Sequence, residues 1–230
     1  KMKYPEDFIN KIICGDCLTI LKEVPDESID CVITDPPYNI HLQKNYFSNR
    51  KRKNYSEYVD GPVRHSEWLP EIYRILKNNT HFYCFSGYTE IADLIKESEK
   101  AGFENKGIIV WHKEWTGWIA GAYGYKYKPM SELCVFFFKG KRKINNPETS
   151  DILKSKRMRN INHPCPKPID LLGKFIKNST DESDLILDPF MGSGSTALAC
   201  KLLKRNYIGI ELNPDYVKLA EQRLRQDILL

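Results

Sequence analysis

Short apolar runs alternate with longer amphipathic stretches along this chain. The runs Lys11–Cys14, Ile29–Thr34, His81–Ser86, Gly107–His112, Glu132–Phe138, Leu185–Asp188 and Tyr207–Glu211 are of strand length and rich in branched or aromatic residues. The stretches Leu18–Glu23, Ser66–Lys77, Tyr88–Lys100, Pro168–Asn178, Ser195–Lys204 and Pro214–Gln226 repeat their apolar positions at helical spacing. The last is the best signalled. Asn213 suits the N-cap, Pro214 the first helical position, and Val217, Ala220 and Leu224 share one face. Apolar strands alternating with helices predict an α/β fold, with a mainly parallel sheet covered on both faces. No internal repeat is present. Three segments fall outside the pattern: the polar, aromatic 41–65, the Gly-, Tyr- and Trp-rich 113–129 and the basic 140–162. Loops this long are usually functional or unfolded.

At 230 residues and 41% hydrophobic content, the expectation is one domain spanning 1–230 with a substantial core. No apolar run reaches the roughly 18 residues of a membrane helix and no signal peptide is evident, so neither a membrane nor a secretory role is expected. Seven cysteines, mostly inside apolar runs, fit reduced thiols in an intracellular protein. Cys14 and Cys17 have C-x-x-C spacing but no second pair; only His163 and Cys165 could complement them, and no metal is expected. The net charge of +5 leans mildly toward anionic partners, and its distribution says more. Lys44, Arg50, Lys51, Arg52 and Lys53 are interleaved with Tyr46, Phe47, Tyr55 and Tyr58. Between Lys139 and Arg159, a run that includes Lys141, Arg142, Lys143 and Arg157 carries a larger surplus than the whole chain. Such clusters suit a phosphate backbone and are expected near the ligand crevice.

Two stretches carry candidate chemistry, each after a strand. In Asp188-Pro189-Phe190-Met191-Gly192-Ser193-Gly194, a glycine turn lets backbone approach a ligand closely and leads into a helix N-terminus. Glu211 ends the following strand, where an acid accepts from a ribose diol in dinucleotide folds. The turn is not G-x-G-x-x-G, which argues against a nicotinamide. In Asp35-Pro36-Pro37-Tyr38, two prolines fix the backbone and remove two N–H donors, leaving carbonyls and the Asp35 carboxylate as acceptors. Acceptors are what an exocyclic amino group requires, and Tyr38 offers a flat face for a base.

Asp-Pro-Pro-Tyr, Asp-Pro-Phe-Met-Gly-Ser-Gly and Ile-Gly-Ile-Glu together resemble the signature blocks of S-adenosylmethionine (SAM)-dependent DNA amino methyltransferases. The catalytic block precedes the cofactor block, a circularly permuted order similar to that of their beta class. His163-Pro164-Cys165-Pro166-Lys167-Pro168 and Ile12-Ile13-Cys14-Gly15-Asp16-Cys17 resemble two further blocks of that class. The resemblance implies a Rossmann-like fold with seven strands, one antiparallel, in the order 11–14, 207–211, 185–188, 29–34, 81–86, 132–138, 107–112. It implies that Asp188, Pro189, Phe190, Gly192, Ser193 and Gly194 wrap SAM, that Glu211 takes its ribose hydroxyls, and that Leu212 is a further cofactor-binding position. Asp16 and Cys17 would stand at the adenine, and His163 and Lys167 near the amino-acid portion. Asp35, the Pro36 carbonyl, Pro37 and Tyr38 would hold the target base.

The implied reaction is methyl transfer to a flipped-out base in double-stranded DNA. An exocyclic amine is a poor nucleophile because its lone pair is delocalised into the ring; accepting its hydrogens localises that pair. Asp at position 35 points to adenine N6, with cytosine N4 as the alternative. Structured RNA, a protein amide or a non-catalytic DNA-binding subunit are further readings. Trp115 and Trp118 either flank the base or cover the sheet, and the roles of Tyr125, Tyr127 and Glu132 stay open. The short region before His163 leaves specificity to the 41–65 loop, to a partner, or relaxed. Family habit also implies a homodimer and a companion restriction endonuclease.

Overall fold

A computed structural model describes residues 2–37, 64–114, 127–158 and 166–226. Among these residues, eight strands and six α-helices follow in the order β1 (Lys11–Cys14), α1 (Cys17–Ile20), β2 (Ile29–Thr34), α2 (His65–Ile75), β3 (Leu76–Ser86), α3 (Ile91–Ala101), β4 (Glu104–Lys113), β5 (Ser131–Lys139), β6 (Ile152–Ser155), α4 (Ile169–Ser179), β7 (Leu185–Asp188), α5 (Ser195–Leu202), β8 (Asn206–Glu211) and α6 (Pro214–Arg225). They form one sheet in the order β1-β8-β7-β2-β3-β5-β4-β6. Only β5 runs antiparallel to its neighbours; every other pairing is parallel. The expected order of seven strands is reproduced, and an eighth is added at the edge.

Each central strand is buried on both faces, as a doubly covered parallel sheet requires. Val32, Phe82, Cys84, Leu185 and Leu187 pack with Trp68, Leu69, Ile72 and Leu94 of α2 and α3 and with Cys17 and Ile20 of α1. Cys31, Ile33, Tyr83, Phe85 and Ile186 face the other way, against Leu171, Leu172, Phe175 and Ile176 of α4 and Ala199 and Cys200 of α5. No helix among the described residues is long and apolar enough to cross a membrane.

The junction of α2 and β3 and the edge strand β6 differ from expectation. The helix expected over Ser66–Lys77 stops at Ile75, and β3 starts at once with Leu76. Leu76 is as buried as the helical Ile75, so apolar periodicity continues across the junction. Pairing of Leu76 with Ile29 and donation by Lys139 Nζ to the carbonyls of Tyr73 (2.7 Å) and Leu76 (2.6 Å) end the helix there. The basic segment 140–162, expected to be irregular, contains β6. This strand buries Leu153 and Ser155 and exposes Ile152 and Lys154, an alternation too short to stand out in the sequence.

The expected helical face of α6 is also shifted. Val217, Ala220 and Arg223 are its buried residues, while Leu224 is only half-buried.

Candidate active site

The strand register places the two carboxylates singled out from the sequence. Val32 of β2, Leu187 of β7 and Ile208 of β8 form one row across the sheet. Asp35 and Glu211 follow that row by equal numbers of residues, so they stand level at the carboxyl edge, two strand spacings or about 10 Å apart across it. Between them, β7 stops one residue past the row, at Asp188, and turns into the glycine loop. This is the switch region of the sheet, since the chain leaves β2 and β7 for opposite faces.

Asp188 holds that loop rather than facing outward. It is 4% exposed, accepts from Thr34 Oγ1 (2.8 Å) and the Phe190 N–H (3.1 Å) on Oδ1, and from Thr196 Oγ1 (2.6 Å) on Oδ2. It thus ties the loop to β2 on one side and α5 on the other. Burial raises its carboxyl to about 6, more than those hydrogen bonds lower it, and the neighbouring Asp35 charge pushes it the same way.

Gly192 and Gly194 adopt left-handed backbone, at φ 55° and 80°. A Cβ on Gly194 would come within 2.7 Å of the Ala220 Cβ, so glycine lets α6 pack directly on the loop. Glu211 Oε2 accepts from the Gly192 N–H at 2.7 Å and Oε1 from the Asn213 N–H at 2.8 Å. Leu212, beside it, is a large apolar side chain 63% exposed. Pro189 and Ser193 are buried, and Phe190 is half-buried with its ring edge-on to Trp68 at 5.4 Å.

Asp16 caps α1, accepting from the Leu18 N–H at 3.1 Å, and remains exposed at the same edge, where Cys14 pairs with Glu211. Burial, and then Asp16, push the Cys17 thiol up to about 12, far from a reactive thiolate. The six described cysteines are all free.

Lys167 lies just before α4. Its ammonium touches Asp35 Oδ2 and sits 3.2 Å from Glu132 Oε2, at the start of β5. The resemblance placed this lysine near the cofactor's amino-acid end; here it reaches both of these carboxylates. Lys113, at the end of β4, pairs with Glu132 Oε1 at 2.7 Å. Burial alone would raise the Glu132 carboxyl, but Lys167 and Lys113 outweigh it and hold it below the usual carboxylate range. Pro36 is buried and Pro37 half-buried.

The basic segments divide. Lys139 pairs with Thr80, at the amino-terminal end of the β3 ladder with β5, so Lys141, Arg142 and Lys143 lie at the opposite edge of the sheet from Asp35. They were expected beside the site; the antiparallel course of β5 carries them about 20 Å away, the length of six strand residues. Lys113 pairs with Ser155 at the end of β6, so Lys156 and Arg157 emerge on the Asp35 edge. An open hollow lined by Lys201, Lys204, Arg205 and Asn206 also lies at the far edge. Lys201 and Arg205 there already donate to the carbonyls of Leu224, Leu203 and Thr180, so it is a structural feature. Tyr38, Lys44, Arg50, Lys51, Arg52, Lys53, Trp115, Trp118, Tyr125, Arg159 and His163 lie outside the described residues.

Sequence reasoning missed Thr34, Thr196 and Arg223. Arg223 donates to the Ser193 carbonyl and, at 3.0 Å, to its hydroxyl, clamping the loop from behind. The available signal was its spacing: it continues the Val217 and Ala220 face of α6, where a charge has to find a partner.

Comparison with known proteins agrees with this arrangement. A family model described as DNA methylase (N6_N4_Mtase) matches residues 29–222. Type II methyltransferase M.HpaI of Haemophilus parainfluenzae is 32% identical, covering 93% of this chain and 74% of its own length. Type II methyltransferase M.HinfI of Haemophilus influenzae is 28% identical, covering 96% and 69%. The crystal structure of an M1.HpyAVI–SAM complex superposes with a TM-score of 0.72 at 29% identity, over 93% of this chain and 98% of that one. The cytosine-N4-specific PvuII DNA methyltransferase shares the fold, with a TM-score of 0.73 at 19% identity over 98% and 92%. With its strand order, its glycine loop and its matched residues in accord, this chain belongs to the N6/N4 DNA methylase family.

Proposed function

We propose that this protein methylates the N6 amino group of adenine in double-stranded DNA, with SAM as methyl donor. The observation that carries the reading is the shared row beneath Asp35 and Glu211. It sets an amine-accepting carboxylate and a diol-accepting carboxylate level on one edge, with the glycine loop between them.

The residues present fit SAM. Glu211 sets a carboxylate beside the loop for ribose hydroxyls, Leu212 offers an exposed apolar surface for adenine, and Gly192 and Gly194 keep side chains out of the loop. Asp16 stands at the same edge with an exposed carboxylate. When bound, SAM supplies a methyl group made electrophilic by its sulfonium.

The protein's part is to make the amine a nucleophile and hold it in place. Asp35 Oδ accepts one amino hydrogen, and the Pro36 carbonyl is the second acceptor. Both draw the nitrogen away from conjugation with the ring. As positive charge builds on that nitrogen, the Asp35 carboxylate stabilises it, an effect worth about 10²–10³ in rate. The target base has to leave the duplex, at a cost of a few kcal/mol. Lys156 and Arg157, together with the 41–65 segment, would meet the flanking phosphates. Asp at position 35 is the feature that favours adenine.

The test is methylation of a plasmid of mixed sequence, read by nucleoside mass spectrometry, with wild-type protein and Asp35→Ala. Wild type is expected to give N6-methyladenine. The variant should bind SAM within about twofold of wild type by calorimetry yet lose about 10²-fold or more in turnover. N4-methylcytosine in the digest would overturn the choice of base, and wild-type turnover in the variant would overturn the role of Asp35.

A further inference from the structure

We propose that Glu132 is a positioning residue for methyl transfer: it is the second carboxylate to which the Lys167 ammonium passes when the target amino group engages Asp35. The inference rests on the reading that Asp35 accepts from that amine.

Four charged side chains alternate in sign along the carboxyl edge. Asp35 follows β2, Lys167 precedes α4, Glu132 opens β5 and Lys113 closes β4. Their side chains are 27%, 7%, 21% and 12% exposed, so solvent screens them little, and their formal charges cancel. The Lys167 ammonium also lies over the Phe85 ring, 4.7 Å from its centroid, with an anion on either side of it.

Glu132 is unevenly satisfied. Oε1 has Lys113 at 2.7 Å. Oε2 is buried, and although Lys167 Nζ is 3.2 Å away, no described donor is aligned on it. A buried carboxylate oxygen with spare capacity calls for an explanation. Here a small displacement of Lys167 would align a hydrogen bond to it, and a lysine ammonium on a flexible stem makes such moves readily.

Asp35 has the opposite difficulty. An ammonium in contact with Oδ2 competes with the amine for that carboxylate and reduces its ability to stabilise positive charge on nitrogen. Sending Lys167 to Glu132 withdraws that ammonium from Asp35 without leaving it unpaired, because one anion replaces another and the total stays neutral. Lys113 serves the exchange by anchoring Glu132 through its other oxygen. Replacing Glu132 with Gln removes the second anion and biases Lys167 toward Asp35.

The test uses full-length Glu132→Gln, Glu132→Asp, Lys113→Met and Asp35→Ala, measuring kcat, KM for DNA, and SAM affinity by calorimetry. Glu132→Gln is expected to lower kcat by about 10–100-fold while KM and SAM affinity stay within about twofold, as for an interaction that matters only after binding. Glu132→Asp should recover part of that loss. Lys113→Met, which keeps both carboxylates and Lys167, should lower kcat by about 3–10-fold. Unchanged kcat in Glu132→Gln or in Lys113→Met, with Asp35→Ala inactive, overturns this inference alone. So does a Glu132→Asp variant as slow as Glu132→Gln with binding equally damaged, which would mark a purely structural role. An active Asp35→Ala would instead remove the reading beneath it.

Discussion

Asp188 shows how one side chain can be conspicuous in a sequence for one reason and matter in the structure for another. Its place before Pro189 and the glycines reads as a ligand contact, but its oxygens are used by Thr34, Thr196 and Phe190. Burial makes ionisation costly, so its carboxyl titrates near 6 instead of 3.8. For an acid raised in the folded state, the stabilising form is the protonated one. Its contribution is complete below the unfolded value and is lost as pH rises through 6. Wild type should therefore gain about 1 kcal/mol over Asp188→Asn between about pH 7.5 and about pH 5, measured by urea unfolding of both proteins across that range. A difference independent of pH would show that the buried carboxylate titrates normally. Thr34 and Thr196 were unremarkable by type; their role depends on two segments distant in sequence meeting at one carboxylate.

At the scale of elements, the junction of α2 and β3 depends on a residue from another strand. Lys139 Nζ donates to the carbonyls of Tyr73 in the last turn of α2 and of Leu76 at the start of β3, and lies over Tyr73, 4.6 Å from the ring centroid. Lys139→Met removes a charged donor from two carbonyls and should cost about 2–4 kcal/mol, seen as a lower urea midpoint. Turnover per folded molecule should be retained, because Lys139 lies at the edge of the sheet opposite Asp35. Six helices and seven strands were legible from apolar periodicity. The helix-to-strand switch at Leu76 was not, because a buried residue suits either pattern there. The edge strand β6 was not legible either: four residues carry two alternations, and its partner β4 lies about forty residues earlier, beyond the reach of local pattern.

For the whole molecule, strand direction decides which charges share an edge of the sheet with Asp35. The basic run read as a single patch is split: β5 carries Lys141, Arg142 and Lys143 to one edge of the sheet, and β6 brings Lys156 and Arg157 back to the other. DNA affinity should fall with rising salt, and neutralising Lys156 and Arg157 to Gln should reduce the log–log slope by about one per lost phosphate contact. The same change at Lys141 and Lys143 should leave the slope unaltered. Fluorescence anisotropy over a salt series distinguishes them, and equal effects at both edges would mean that DNA wraps the sheet.

The sequence by itself determined the fold class, the strand order implied by its family blocks, and the two carboxylates that stand level on one edge of the sheet, because those depend on local pattern and on motifs held within a few residues. Only the tertiary structure decided what surrounds them: that Asp188 is an internal brace, that Arg223 clamps the loop, and that Lys167 stands between Asp35 and Glu132. These are contacts between segments far apart in the chain, and a side chain's partner is set by which strands lie side by side and in which direction they run.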